Sequence, residues 1–349
     1  MAVVQMAMGA YRQGFITYLE EQGTSIEFFV GDQHFGQVLR TEVNSGLVRR
    51  TGQNLFLARR RIGYQPVKLR LVLKYPQVVV ELNPRNITTW AILISRLVLG
   101  RPSHGWGHVD PRGHRGVATL QLRRTMQKMC SSLITYTEAE RERAKELFPK
   151  KPIRVAANAL YRAKDMTEVT QGGLDVVWIG RVVEEKKPLL AIDSWREFVR
   201  ARGTSSRLLV VGDGPLLEAM KERARTAGVR ESVEFFGRVN DSDVLRKIFG
   251  RCRLMLATGY VGLNVTQGLG FGLPVVYPEQ EPHAPEIEAL DPDNSLTFAS
   301  ENAESCAHAV QAAFASDWHA SEIAAAARKR YSVEAMATPF LDLARGGAK

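Results

Sequence analysis

The chain has 349 residues, 45% hydrophobic and 24% charged, enough for two ordinary globular cores and unlike a disordered or low-complexity protein. Its three cysteines, Cys130, Cys252 and Cys306, are widely spaced with no Cys-x-x-Cys, which argues against a disulfide framework or a zinc site and fits a reducing compartment. No run of about 18 apolar residues is present, and the opening "MAVVQMAMGAYRQGF" lacks a basic flank, so neither a membrane span nor a secretory signal is expected and the protein is read as cytoplasmic.

The net charge of +10 is uneven. Residues 1–165 carry 26 Lys and Arg against 12 Asp and Glu, whereas the remainder carries 21 against 25. The first half therefore suits an anionic partner, either nucleic acid or an acidic membrane surface, unless it is simply an arginine-rich solvated surface.

The first half alternates strand and helix. "AVVQMAM" reads as a strand, followed by the turn "GAYRQG" and a helix to about Gln22; "SIEFFVG" is a second strand. Residues 40–70 are expected to hold a helix. "QVVVEL" leads through "NPRN" into another helix, carrying Arg96 in "WAILISRLVLG". Arg115 to Cys130 is an amphipathic basic helix, and "SLITYT" is a strand. Thr137 and Glu140 form a Thr-x-x-Glu capping box. "PIRVAAN" closes this half, and the polar stretch 162–173 reads as a linker.

The second half is more regular. "LDVVWIG" is a buried strand, and residues 188–201 a helix with Leu189, Ile192, Trp195 and Phe198 on one face. "RLLVVGDGP" is a strand ending in a turn, with Pro215 in the first turn of the next helix. "SVEFFG", "RLMLAT" and "PVVYP" are strands. Helices are expected at Asn240–Phe249, Asn264–Phe271 and through residues 301–345. This alternation demands parallel pairing and crossover connections. Ligands of such sheets bind outside the carboxyl ends of the strands, so a cleft between two such domains is the expected site.

Four stretches carry chemistry. "IGRVVEEKKP" sets Arg181 at a strand end and Lys186 five residues on, a fork and a point charge suited to a diphosphate, unless Glu184 and Glu185 neutralise them on a surface loop. "VVGDGP", with Gly212, is a weak phosphate-loop signal that also fits a plain turn. "FFGRVN" lets the backbone of Arg238 and Val239 approach a flat ligand. "GYVGLNVTQ" is a glycine-rich bend feeding a helix, with Asn264 as N-cap, whose amides form an anion site without charged side chains.

In this order, "GR…EK", "VVGDGP", "VEFFGRV" and "GYVGLNVTQGLGFGLPVV" resemble the nucleotide-binding domain of the retaining GT-B glycosyltransferases of family four, the glycosyl transferases group 1. The likeness covers nearly all of residues 174–300. In the first half, "GAYRQGF", "HGWGH" and "LITYTEAERERAKELF…PIRVAANAL" are similar to the family's glycine-rich loop, histidine loop and last stretch before the linker. The resemblance implies an α/β fold of two Rossmann-like doubly wound domains facing a central cleft. These span residues 1–165, for the acceptor, and 166–330, for the nucleotide-sugar, and a last helix, 331–349, crosses back to the first domain.

The resemblance also implies roles. Arg181 and Lys186 match the basic pair that stabilises the departing diphosphate. Arg238 and Val239 match the segment that holds the base, and Gly262, Leu263 and Asn264 the loop whose amides reach the phosphates. His108 matches a histidine near the donor sugar; Gly9 and Arg12 lie on the loop facing donor and acceptor. The family's Glu-x7-Glu pair is absent, with Gly259 and Gln267 in its places; Gln267 keeps an acceptor oxygen, and His283 and Glu286 are candidates to substitute.

Asp241-Ser-Asp243 and Asp291-Pro-Asp293 lack the context of a metal-binding Asp-x-Asp, so neither metal nor cofactor is expected. The expectation is transfer of a sugar from a nucleotide-sugar to a hydroxyl acceptor, a glycan or lipid-linked precursor, with retention and by leaving-group stabilisation. The basic helix with Arg112, Arg115, Arg123, Arg124 and Lys128, interleaved with Val117, Leu120 and Met126, is expected at an anionic membrane. The alternatives are a catalytically silent GT-B partner protein, a sugar-nucleotide epimerase, and a nucleic-acid-binding protein, which lacks any recognition motif.

Overall fold

The structure, a computed structural model, describes residues 1–36, 39–111, 117–169, 173–203, 205–239 and 241–346. Arg112, Arg115 and Asn240 lie outside them. Two compact units form: Met1–Leu160 together with Val333–Lys349, and Tyr161–Ser332.

In the first unit, β1 (Ala2–Gln5), β2 (Glu27–Val30) and β3 (Val48–Arg50) build one side of a sheet. β4 (Leu55–Leu57) and β5 (Ile62–Tyr64) form a separate antiparallel hairpin. β6 (Val78–Glu81), β7 (Ser103–Trp106), β8 (Ser132–Thr135) and β9 (Ile153–Val155) build the other side. The order is β3-β2-β1-β6-β7-β8-β9, all parallel, with Val3 beside Phe28 and Val79. Side-chain alternation sends Val3 to one face and Ala2 and Val4 to the other, and both faces are covered. α1 (Gln13–Glu21) covers the first with Phe15, Ile16 and Leu19. The second packs against α2 (Leu69–Lys74), α3 (Ile87–Val98), α4 (Val117–Met129) and α5 (Glu138–Leu147) through Val72, Ile92, Leu93, Met126 and Ala144.

The helix expected within 40–70 is replaced by β3 and the hairpin. Leu55 and Leu57 alternate with Phe56, and Ala58, Arg59 and Arg60 all take positive φ at the tip. Arg60 holds that turn by stacking on Phe56 at 3.7 Å and donating to the carbonyls of His34 and Phe35. β7 lies within the expected histidine loop, hidden from sequence reading by its polar residues. His104 is paired with Ser132 and Gln77 at 2.7 Å each, and burial, then Arg154 and Arg96, push its pKa down to about 4. Half of the capping box expected at α5 is present: Thr137 accepts from the Glu140 amide at 3.0 Å, whereas the Glu140 carboxylate accepts from the Tyr136 amide, one residue before the cap, at 3.1 Å.

The second unit runs β10 (Asp175–Ile179), α6 (Pro188–Arg202), β11 (Leu208–Val211), α7 (Leu217–Thr226), β12 (Val233–Gly237), α8 (Ser242–Phe249), β13 (Cys252–Leu256), α9 (Leu263–Gly270), β14 (Val275–Pro278), β15 (Ser295–Phe298), α10 (Ala303–Ala315) and α11 (Ala320–Tyr331). Its sheet order is β12-β11-β10-β13-β14-β15, again all parallel. α6 buries Pro188, Ala191, Ile192, Trp195 and Phe198; Leu189 lies off that stripe and stays exposed, contrary to expectation. Pro215 precedes α7 rather than opening it. Asp241 caps α8 by accepting from the amides of Asp243 and Val244, and Asp291 accepts from the Asp293 amide in a turn. These contacts account for both Asp-x-Asp strings.

The last helix, α12 (Val333–Ala344), packs on α1 in the first unit. Phe340 lies 4.7 Å from Trp106 and 5.2 Å from Phe15, ring to ring, closing an aromatic core. Each such fully buried ring stabilises the fold by roughly 1.5–3 kcal/mol. No helix among the described residues is long and apolar enough to cross a membrane. Each sheet reverses its direction of growth once, at β1/β6 and at β10/β13. In doubly wound sheets that switch is where the carboxyl ends of the strands open a ligand crevice.

Candidate active site

At the β10/β13 switch two strand ends feed two adjacent loops, 180–187 and 257–264. Thr258 donates its hydroxyl to the carbonyls of Lys186 and Lys187 at 3.1 and 2.9 Å, and the Tyr260 amide donates to the Glu185 carbonyl at 2.9 Å. This approach requires Gly259. A Cβ there would lie 2.5 Å from the Glu185 oxygen and 2.8 Å from the Lys186 carbonyl carbon. The packing of two backbones thus demands a glycine at this position.

Lys186 is turned inward by these contacts. Its ammonium donates to the Tyr260 carbonyl at 2.5 Å, lies 3.5 Å from Asn264 Oδ1, and sits 4.6 Å above the Tyr260 ring. Burial, reinforced by the charge of Arg181, lowers its pKa to about 8, while Glu286 and Glu185 oppose the shift. Arg181 is exposed at the end of β10. The neighbouring Lys187, held at φ 48°, points elsewhere and pairs with Glu281 and Glu301. Among the described residues neither Glu184 nor Glu185 forms an ion pair with Lys186, although the Glu185 charge acts on it from a distance. Glu185 contributes its backbone carbonyl.

α9 begins at this same edge. Its N-cap is Gly262, not Asn264 as expected; Asn264 lies in the first turn, where its Oδ1 accepts from the Gly262 amide at 3.0 Å. The bend at 259–262 starts the helix early enough to bring that side chain back over the loop. The amides of Leu263 and Asn264 have no acceptor among the described residues. With the helix dipole they form an anion-binding start. His283 fixes the loop from behind: Nδ1 accepts from the Val261 amide at 3.1 Å, so Nε2 carries the proton and donates to the Pro278 carbonyl at 3.0 Å. Burial and then Lys186 hold its pKa below the usual histidine value, against Pro278 and Glu281.

The other expected residues fall nearby or further off. Glu286 is 8% exposed on a short 3-10 turn packed on α9. Gln267, on α9, donates its amide to the Tyr161 hydroxyl, and burial pushes that phenol up to about 12. Arg238 and Val239 follow β12, with Arg238 exposed. Gly212 is a packing turn: its φ is 151°, and a Cβ would lie 1.8 Å from the Gly180 oxygen.

In the first unit, His108 and Arg12 stand at the matching strand ends. His108 Nδ1 pairs with Glu140 at 2.8 Å, and its ring lies 4.7 Å from that of Tyr136. Arg12 is turned inward, 4% exposed, with its guanidinium 4.1 Å from the Trp106 centroid and donating to Gln5 at 3.0 Å and Tyr136 at 3.3 Å. Gly9 precedes the 3-10 turn that carries it. The sequence reading missed Tyr260, Tyr161 and Tyr136. Tyr260 acts through its carbonyl, which no side-chain pattern reveals; the tyrosines that follow β8 and open the second unit showed no spacing signal.

Two cations, a nearby carboxylate and two amides with no acceptor among the described residues thus share one strand edge, an arrangement able to take an anion. Residues 173–316, less than half of the chain, match the family described as glycosyl transferases group 1. No curated protein matches the sequence. Among solved structures, the chain is similar to a lipopolysaccharide outer core galactosyltransferase, WaaB, in its apo form, with TM-score 0.66, 12% identity and 99% of both chains covered. A glycosyltransferase from Rickettsia africae gives 0.67 at 12%, covering 100% of this chain and 98% of that one. Anabaena HepE in complex with UDP gives 0.66 at 13%, with 99% of both chains covered. These likenesses show the fold: the two units are the Rossmann-like domains of the GT-B architecture.

Proposed function

We propose that this protein, whose second unit matches the group 1 glycosyltransferases, transfers a sugar from a nucleotide-sugar to a hydroxyl acceptor with retention at the anomeric carbon. The observation that carries the reading is the convergence of Lys186, Arg181 and the free amides opening α9 on one strand edge. A nucleoside diphosphate fits it: the amides take phosphate oxygens, Arg181 forks a second phosphate, and Lys186 sits where charge grows as the glycosidic bond breaks. Anabaena HepE, of the same fold, was solved with UDP and with UDP-glucose.

The leaving diphosphate then serves as the base that takes the acceptor's proton. No metal is assigned, because the two cations and the helix start supply the neutralisation a divalent ion would give. Gln267, Glu286 and the backbone of Arg238 and Val239 are assigned to the nucleoside and sugar, and His108 to the sugar. The acceptor, a glycan or lipid-linked precursor, is assigned to the first unit of a cytoplasmic enzyme working at a membrane face. A second reading, a catalytically silent GT-B protein, draws on the absence of carboxylates at Gly259 and Gln267.

A nucleotide-sugar panel scored by thermal shift and by donor hydrolysis tests both. Selective stabilisation with turnover that Lys186→Ala removes supports the transferase. Stabilisation without turnover in the presence of candidate acceptors supports the silent protein, and no stabilisation by any nucleotide sinks the donor site. Retention is read from the anomeric configuration of the product by NMR.

A further inference from the structure

Of the fifteen large apolar side chains that stand exposed among the described residues, twelve lie between Leu55 and Leu122 in the first unit. They are organised by two elements. α3 presents Ile87, Ala91, Ile94 and Val98 along one outer stripe at spacings of four, three and four, with Leu97 beside it; Val98 is 81% exposed. The outer face of a helix on a soluble domain is ordinarily polar. Its one charged residue, Arg96, is turned inward and donates to the carbonyls of Tyr75, Pro76 and Pro102. The outer stripe therefore carries no hydrogen-bonding side chain. The hairpin adds a second apolar face, with Leu55 opposite Tyr64 and Leu57 opposite Ile62, all four exposed. It packs on α3, bridged at Gly63 and Asn86 and held by Arg85, whose Nε donates to the Arg61 carbonyl at 3.1 Å.

Around these faces the charge is one-sided. From Val43 to Thr137 the sequence has 16 Lys and Arg and two acids, Glu81 and Asp110. Both acids are used internally: Glu81 accepts from the Met6 amide and the Asn86 side chain, and Asp110 pairs with Arg124 and Arg143. Arg59 and Arg61 near the hairpin tip, and Lys68, Arg70 and Lys74 along α2, are exposed and have no acidic partner among the described residues. Beside α2 a cavity of about 660 Å³ has apolar walls from Phe29, Pro66 and Leu71 and a rim that includes Lys68 and Lys74; its one acid, Glu27, accepts from Arg49 and from the Tyr75 hydroxyl.

We propose that the β4–β5 hairpin, α2 and α3 form a face that docks this protein on an anionic lipid bilayer. The occupant follows from the combination. Unpaired cations require an anionic partner. Nucleic acid would leave the apolar stripe in water, and the stripe has no polar group to recognise a specific protein. A bilayer interface accepts apolar side chains at the acyl boundary and cations at the phosphate level. The face differs from the one expected from sequence. On α4, Arg123 donates to the carbonyls of Leu82 and His108, Arg124 to that of Val109, and Met126 is buried, so these three face the core. Docking does not depend on the donor chemistry proposed above.

The test is vesicle flotation of the full chain on phosphatidylcholine alone and with about 30% phosphatidylglycerol, alongside donor binding in solution. The expected result is at least about tenfold stronger binding to the anionic vesicles, weakened by salt. Leu57→Glu/Ile62→Glu and Leu97→Glu/Val98→Glu each lose about tenfold or more, while Arg123→Gln/Arg124→Gln loses less than either. The Leu57→Trp variant shifts its fluorescence to the blue on anionic vesicles and is quenched by brominated acyl chains. Equal binding to neutral vesicles, glutamate pairs that bind like the parent, or an unshifted indole signal from the Leu57→Trp variant overturns the proposal. A dimer by light scattering that Val98→Glu dissolves overturns it in favour of self-association. Circular dichroism melts and donor binding of the glutamate pairs, unchanged from the parent, separate lost docking from lost fold.

Discussion

The two units share one topology and use its ends differently. In the second, the strand ends at the switch leave the amides at the start of α9 without an acceptor among the described residues and hold a lysine partly desolvated beside an arginine. In the first, the matching ends are filled: Arg12 lies against Trp106 and donates to Gln5 and Tyr136, and His108 pairs with Glu140. One edge is built mainly from backbone groups, the other from side chains bonded to one another. The outer surfaces differ as well: among the described residues, exposed apolar side chains crowd the first unit and are three and scattered in the second. The same fold therefore separates an end lined by open backbone amides from a unit whose individuality lies in its side chains and its outer face.

The contrast is broken most severely at Gly259. Introducing a carboxylate there, Gly259→Glu, drives a Cβ into the Glu185 carbonyl. It is expected to abolish donor binding and lower the stability of the second unit by about 3 kcal/mol, read by thermal melts and titration calorimetry. A gain of activity instead would mean that the loops are free to separate. Next in size, Lys186→Ala is expected to cost about 100- to 1,000-fold in kcat with a smaller change in KM, since its charge matters most as the diphosphate leaves. Arg12→Lys, in the filled site, is expected to reduce stability with little effect on nucleotide affinity.

The titration of Lys186 sharpens the comparison. Its pKa is about 8 in the folded chain against an ordinary 10.5, so between these values the unfolded chain holds more protons. The group costs stability below about pH 8, and that cost is relieved as pH rises toward 10.5. A bound diphosphate favours the ammonium form. UDP affinity is therefore expected to fall by up to about tenfold per pH unit above about 8.5, with proton uptake on binding, measured by calorimetry in two buffers. Lys186→Ala should remove the uptake. A smaller effect is expected at His283, whose neutral ring anchors Val261. Its pKa is depressed, so its stabilisation is complete above 6.5 and is lost as pH falls through the folded value. His283→Ala is expected to flatten that acid limb and weaken UDP binding by a few-fold.

Sequence pattern was most legible where strands were long and apolar. β10, β11, β13 and β14 stood out because sheets covered on both faces demand continuous apolar runs. β7 was missed because His104 and Ser103 make a polar strand tolerable through paired hydrogen bonds, and the hairpin because its turn is built from alanine and arginines at positive φ in place of glycine. At the site, the position of Arg181 and Lys186 at a strand end was readable from spacing. The inward turn of Lys186 and the outward turn of Lys187 were not, because a left-handed residue between loop and helix decides which lysine faces which way. Asn264 was read as a cap from its residue type, whereas backbone geometry gave that place to Gly262.

The contact between Gly259 and the 185–186 backbone also sets how substitution at this edge can proceed. A side chain at 259 needs the two loops further apart than they lie, and parting them strains the bond from the Tyr260 amide to the Glu185 carbonyl and the placement of the lysine that follows it. Only concerted change in both loops admits one, so two stretches far apart in the sequence behave as a single mutational unit.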